Sequence, residues 1–299
     1  MPVEVTAVIN MADNGGSSGR LRQEYGVLPP GDVRQAVAAL STADPTIIAD
    51  FEYRYTAAEN AELAGHPRGN LELASLATTY GFDVAVRRVS ERLDVRGRVL
   101  PVTLDMHDLC AEVDGRNVLG EYVIAETALA RPRLWLAPQP TASPDVVAAI
   151  ERADVVVIAP GDLYGSLAPT LLVGGVSKAL ASRRGQTVCV TNLVNKPDQT
   201  AGFTAADYVS EIERFADTDC VDVLVQNTGK IDQDWLVYHA RPGEEAVAPV
   251  EAIAGKEVKG IDMVDRDICV NLGASVIAKS FVRHDGQKVA AAIGGLLGV

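Results

Sequence analysis

Apolar positions follow two periods along this chain. The alternating run from Val3 to Ile9 reads as a strand. Val33, Val37 and Leu40 form a helical stripe behind Pro30, which is placed for a first helical position. Residues 46 to 56 and about 83 to 93 keep a helical period, and Leu71, Leu73, Ala74 and Leu76 open another helix. From Arg96 to Leu136 the period falls to two. Short strands are expected at 96–104, 109–113, 118–124 and 133–136, with Asp114-Gly115 as a hairpin turn. Pro144 to Ile150 reads as a helix. The β-branched runs 153–159, 186–190 and 221–226 read as buried strands. Thr204 is placed to cap a helix over 205–215, with Asp207 supporting its start. A short helix at 234–238, strands at 247–253 and 276–282, and a closing helix at 288–297 complete the pattern.

Strands alternating with helices predict an α/β fold: a doubly wound, mainly parallel sheet with a small antiparallel insertion at about 96–136, in one domain over 1–299. Ligands of such sheets sit at the carboxyl ends of the strands. The loops 13–20, 160–167 and 192–204, together with Asn227, are expected at that edge.

Composition narrows the function. A net charge of −13 and a pI near 4.8 argue against a nucleic-acid surface. A small ligand carrying negative charge remains compatible, because a few basic groups or a metal reverse the local field. Cys110, Cys189, Cys220 and Cys269 form no C-x-x-C pair, which disfavours a zinc site or a disulfide framework and suits a reducing compartment. No apolar run approaches about 18 residues, so no membrane span is expected and the predicted location is cytoplasmic.

The densest candidate chemistry lies in Asn10-Met11-Ala12-Asp13-Asn14-Gly15-Gly16-Ser17-Ser18-Gly19-Arg20. Three glycines and two serines in five positions predict a loop whose successive N–H groups can form an anion nest. Asp13 is the type of carboxylate that holds a metal or a hydroxyl. The same composition also suits a simple surface turn. Asp32 lies in a predicted first helical turn, where a carboxylate is favoured without any further role. His66 and Asn70 flank a Gly/Pro turn before a helix, where Asn70 is placed to cap and both suit a polar ligand. Pro160-Gly161-Asp162-Leu163-Tyr164-Gly165-Ser166 is a strand–turn–helix junction of phosphate-binding type. Asn192 and Asn227 end predicted strands and offer paired donor and acceptor groups for a base or ribose.

Taken together, these stretches resemble the YvcK/CofD-like family, the group of the gluconeogenesis factors and UPF0052. The likeness is carried by Met11 to Leu21, Leu28-Pro29-Pro30-Gly31-Asp32-Val33-Arg34, Gly65-His66 with Gly69-Asn70, and Arg96-Gly97-Arg98-Val99-Leu100-Pro101. Pro160 to Tyr164 with Ser166 and Pro169, Gly202 to Asp207, and Val282-Arg283-His284-Asp285 follow in family order.

The resemblance implies a Rossmann-like fold and a pocket for a phosphorylated nucleotide. In the YvcK branch, which this chain resembles more, the expected ligand is a UDP-sugar such as UDP-N-acetylglucosamine, in a regulator of carbon metabolism and of cell shape and envelope. In the CofD branch it implies metal-dependent transfer of a phospholactyl-type group to a deazaflavin alcohol. The expected ligand positions are Asp13, Gly15, Gly16, Ser17, Ser18, Gly19 and Arg20, then His66, Asn70, Gly161, Leu163, Tyr164 and Ser166. Asn192, Thr204, Asn227, Tyr238 and Arg283 complete them. A divalent metal such as Mg²⁺ is expected at Asp13 and Asp32, with no redox cofactor, and a homodimer is compatible. His66 is the one candidate general base. Two departures stand out. Asn14 occupies a position where the family commonly has a second aspartate, and the family's opening strand with its glycine-rich turn has no counterpart before Met1. Either the start is assigned too late, or the chain lacks that first βα unit and is expected to bind less well or to persist as a scaffold that no longer binds.

Overall fold

The computed structural model describes residues 3–231, 236, 242–266 and 282–298. Its first stretch runs β1 (Thr6–Ile9), α1 (Gly16–Tyr25), α2 (Gly31–Leu40), α3 (Pro45–Glu52), α4 (Arg68–Tyr80) and α5 (Phe82–Arg92). Then come β2 (Arg98–Pro101), β3 (Asp108–Val113), β4 (Arg116–Leu119), α6 (Glu121–Ala125), β5 (Arg133–Ala137) and α7 (Pro144–Arg152). The remainder is β6 (Val155–Ile158), a π-helical turn (Leu163–Leu167), α8 (Ala168–Leu171), α9 (Val176–Ala181), β7 (Gln186–Val190), β8 (Val194–Asn195) and α10 (Ala205–Ala216). It closes with β9 (Val223–Asn227), β10 (Glu245–Ala246), β11 (Glu257–Ile261) and α12 (Gly286–Leu297).

Two compact units form. The first comprises Met1–Glu126, Arg133–Ile150 and Tyr164–Ala179; the second comprises Thr127–Pro132, Glu151–Leu163 and Leu180–Val299. In the first, β1 and β2 pair in parallel, with Thr6 opposite Arg98 and Ile9 opposite Pro101. The strand expected at 96–104 therefore belongs beside β1, and the antiparallel ladder of order β4-β3-β5 begins only at Asp108. Asp114 and Gly115 have φ of 50° and 73°, the left-handed pair that a two-residue hairpin turn requires. The strand expected at 118–124 stops at Leu119. Gly120, at φ 101°, turns the chain, and 121–125 closes into α6. Around these sheets α4 packs on α5 and α1, burying Leu73, Ala74, Ala85, Val86 and Val89.

The second unit holds a four-stranded parallel sheet of order β11-β9-β7-β6. Val188, Val190, Val223 and Val225 are fully or nearly buried, and Val289, Ile293 and Leu296 of α12 pack against their cluster. The run 153–159, which reads as a buried strand, supplies the edge strand β6, where Val157 is 40% exposed. No strand forms at 247–253. Pro249 has no N–H to give a ladder, and the Gln226 amide takes the place of a partner strand. It donates to Val250 O at 2.6 Å and accepts from Val250 N at 2.8 Å. The strand forms later, as β11 beside β9. Thr204 and Asp207 make the expected capping box on α10. The helix expected at 234–238 and the strand expected at 276–282 lie outside the described residues except for Leu236 and Val282. The outcome is the mixed α/β class that the pattern predicts, with parallel pairing in the main sheet. Among the described residues no helix is long and apolar enough to cross a membrane.

Candidate functional site

The glycine-rich stretch is only half loop. Gly16 to Arg20 form the first turns of α1, which corrects the expectation of an irregular segment through Arg20. The physical reason lies in close approaches. Asp13 Oδ1 accepts from Gly15 N at 2.9 Å and folds the chain back on itself. A Cβ on Gly19 would stand 2.0 Å from Asn14 O, so only glycine lets the helix start there. A Cβ on Gly31 would stand 2.5 Å from Ser18 Oγ and 3.4 Å from Asp13 Oδ2. The start of α2 is thereby set against the start of α1, and Gly31 N donates to Ser18 Oγ at 3.1 Å. Pro30 is the residue before the first turn of α2, not a member of it.

Gly15 precedes α1 without a capping side chain, and the first turn of α1 contains no acidic residue. Its first N–H groups are donors without a protein acceptor among the described residues, at the positive end of a helix dipole. That is the arrangement that binds phosphate. Asn14 Oδ1 accepts from Tyr122 N at 2.8 Å and so caps α6.

Ser17, His66 and Asn70 come together in the same unit. Ser17 Oγ lies 2.8 Å from His66 Nδ1 and accepts from Asn70 Nδ2 at 2.9 Å. His66 is buried, and desolvation, helped by the positive charge of Arg20, lowers its pKa. It is therefore a neutral imidazole at pH 7. Pro67 is the capping residue of α4, so Asn70 is inside the first turn and not its cap. Arg20 Nη2 donates to Ala64 O at 2.8 Å. Asp32 Oδ1 accepts from Gln35 Nε2 at 3.3 Å. Asp13 and Asp32 flank Gly31 through space and sequence. Carboxylate is the ligand type that a cation of the Mg²⁺ class takes, one or two at a time, with water or phosphate oxygens filling its shell. Among the described residues no group of three or more His, Cys, Asp or Glu side chains gathers into a metal cage.

Tyr164 also belongs to the first unit, where its side chain is fully buried and serves the core. Ser166 accepts through its backbone oxygen from Thr170 Oγ1 at 2.9 Å. Gly165 O accepts from Asn10 Nδ2 at 3.3 Å.

In the second unit Asn192 grips Gly161 from both sides: its Nδ2 donates to Gly161 O at 2.9 Å and its Oδ1 accepts from Gly161 N at 3.2 Å. Leu163 is buried. Asn227 Oδ1 accepts from Gly229 N at 3.2 Å and Met263 N at 3.0 Å, while its Nδ2 donates to Gly229 O at 2.8 Å. Both asparagines are thus engaged in shaping loops at strand ends. Thr204 Oγ1 is engaged by Asp207. Arg283 is exposed, and Tyr238 lies outside the described residues. Polar groups absent from the sequence-based set join here. Lys196 Nζ meets Asp162 Oδ2 at 3.2 Å, and the Tyr208 hydroxyl donates within 3.0 Å of Asn195 Oδ1. Burial pushes the Tyr208 pKa up to about 12. The Lys-Pro-Asp-Gln-Thr stretch after a strand was the available signal for these groups.

Comparison with known proteins places these features in a family. Residues 1–269 match the family model described as 2-phospho-L-lactate transferase CofD. The gluconeogenesis factor of Bacillus subtilis is 35% identical over 303 residues, covering 99% of this chain and 91% of that protein. A putative gluconeogenesis factor of Nostoc is 35% identical over 298 residues, and this chain spans 62% of its length. A crystal structure of a UPF0052 family member from Bacillus halodurans superposes with a TM-score of 0.88 at 33% identity, covering 98% of this chain and 91% of that one.

Proposed function

The chain belongs to the YvcK/CofD-like family, in its gluconeogenesis-factor branch, and on that premise we propose that it is a regulatory protein that binds a phosphorylated nucleotide sugar of the UDP-N-acetylglucosamine type. The observation that carries the reading is the bare start of α1, whose first N–H groups have no protein acceptor among the described residues and follow the turn that Asp13 folds. The diphosphate lies against the backbone of Gly15 to Gly19, and Asp13 and Asp32 hold a divalent ion that offsets its charge. The regulated processes are carbon metabolism and cell shape. Isothermal titration with UDP-N-acetylglucosamine, with and without Mg²⁺, is the direct test. Saturable heat that grows with Mg²⁺ is expected; no heat at millimolar ligand overturns the reading.

A second reading is a CofD-like transferase acting on a deazaflavin acceptor, supported by the match to that family model over residues 1–269. When bound, the metal would supply neutralisation of the donor's diphosphate charge. Neutral His66, buried beside Ser17, is the group with the chemistry to take a proton. Turnover of a deazaflavin acceptor favours this reading. Binding without turnover across several acceptors favours the regulator.

A further inference from the structure

Among the described residues the exposed tyrosines are Tyr25, Tyr53, Tyr80 and Tyr122, all in the first unit. Two of these rings are occupied. Tyr53 donates to Glu59 and has the Arg68 guanidinium 5.5 Å from its centre, and Arg88 covers the ring of Tyr80 at 3.9 Å. Tyr25 is the last residue of α1. Tyr122 stands at the other end of that helix, against Gly15. It is 59% exposed, and its hydroxyl meets no partner among the described residues.

Close contacts fix where that ring stands. Gly120, at φ 101°, brings the chain so near Asn14 that a Cβ on it would lie 2.4 Å from Asn14 Nδ2. Asn14 Oδ1 then holds Tyr122 N at 2.8 Å. A Cβ on Gly15 would lie 3.1 Å from Tyr122 Cδ2 and 3.6 Å from Tyr122 Cβ, so the ring edge rests on Gly15 itself. Ile124, in the same short helix, is fully buried and anchors α6. Gly15 is the residue before the first turn of α1, whose N–H groups are the bare donors described above. A tyrosine has only two side-chain torsions to lose, and this one is already placed by its neighbours. A ligand that meets it therefore spends little on ordering it.

We infer that Tyr122 determines specificity at the start of α1, its ring covering the apolar face of the ligand's hexose. The inference rests on the proposed binding of a nucleotide sugar there, and it deepens that reading by giving the sugar a protein partner. In a nucleotide sugar the hexose is bonded directly to the diphosphate, and the base lies one ribose further away. A side chain that touches the turn holding the diphosphate is therefore a neighbour of the hexose and not of the base. Of the two sugars bonded to the diphosphate, the hexose chair presents the flatter C–H face. An aromatic face matches it, and the unengaged phenol suits its hydroxyls. The ring carries no charge, so it adds nothing to phosphate binding. It separates hexose-bearing nucleotides from plain nucleoside diphosphates.

The test is calorimetry of the full chain at fixed Mg²⁺ with UDP-N-acetylglucosamine and, separately, with UDP. It is run on the parent, on Tyr122→Ala and on Tyr122→Phe. Both variants keep the main-chain N–H that Asn14 holds, and thermal unfolding checks that both are folded. Tyr122→Ala is expected to bind UDP-N-acetylglucosamine about tenfold more weakly and UDP within about twofold of the parent, while Tyr122→Phe stays within about threefold for both. An equal loss for the two ligands in Tyr122→Ala overturns the inference, because the ring then acts on the turn or on the base. Unchanged affinity for both overturns it as well. If the parent binds neither ligand, the nucleotide-sugar reading falls and takes this inference with it. If the parent binds and Tyr122→Ala shows no loss confined to the sugar-bearing ligand, the inference alone falls.

Discussion

The two glycine turns that look alike in sequence, Asp13 to Gly19 and Gly161 to Ser166, are finished differently. At the first, α1 begins with bare backbone donors and neighbouring side chains keep unpaired polar ends. At the second, Asn192 already satisfies both the N–H and the carbonyl of Gly161. A turn whose hydrogen bonds are met from within the fold is held rigid by the protein. A turn whose donors are left over must be met from outside, by water or ligand. The contrast leaves donors available at the first turn and gives the asparagine of the second to loop-shaping.

Several substitutions would break or sharpen that contrast. The largest effect is expected at Gly19→Ala. Its Cβ would lie 2.0 Å from Asn14 O, and a forced overlap of backbone costs about 3 kcal/mol. Urea unfolding checks this, and nucleotide-sugar binding should be lost with it. Asp13→Asn keeps the hydrogen bond to Gly15 N but removes the charge, so Mg²⁺-dependent binding should weaken about tenfold, or ~1.4 kcal/mol, at little cost in stability. Calorimetry at fixed Mg²⁺ decides it. Asn192→Ala should act in the reverse manner, lowering stability by about 1–2 kcal/mol through two lost hydrogen bonds. If Asn192→Ala instead abolished binding with no change in stability, the second turn would be a recognition element after all. Thr204→Ala should cost ~1 kcal/mol by removing the α10 cap, read as a lower urea midpoint.

Acid sharpens the comparison further. Burial lowers the pKa of both His66 and His284, and His284 Nε2 donates to Thr191 O at 2.9 Å as a neutral imidazole. The unfolded histidines, near pKa 6.5, bind protons before the folded ones do. Their contribution is therefore complete above about pH 6.5 and is lost as pH falls through the lowered folded values. The urea midpoint should drop between pH 7.5 and pH 5.5, and His284→Gln should flatten that drop.

Much of this architecture is legible in the chain. β-branched runs gave β7 and β9 directly, Asp114-Gly115 marked its hairpin, and Thr204 with Asp207 announced α10. The failures share one cause, tertiary contact overriding local preference. Gly16 to Arg20 became helical because Asn14 O and Ser18 Oγ press on positions where only glycine fits, which composition cannot reveal. The run 247–253 lost its ladder to the Gln226 side chain, and 121–125 became a helix capped by Asn14, a residue 108 positions away. The same holds for the candidate site. His66 and Asn70 were readable as a polar turn, but their meeting with Ser17 depends on how α1 packs on α4.

The Asn14–Tyr122 hydrogen bond has a consequence for communication within the molecule. It joins the turn at the start of α1 to the start of α6, whose Tyr122 and Val123 side chains are 59% and 50% exposed. Tightening of that turn by a ligand would be felt at the Tyr122 amide, which Asn14 Oδ1 holds. Slower hydrogen exchange at Tyr122 on addition of ligand would show the message arriving. Asn14 is, in this chain, a structural tie between the turn before α1 and the exposed face of α6.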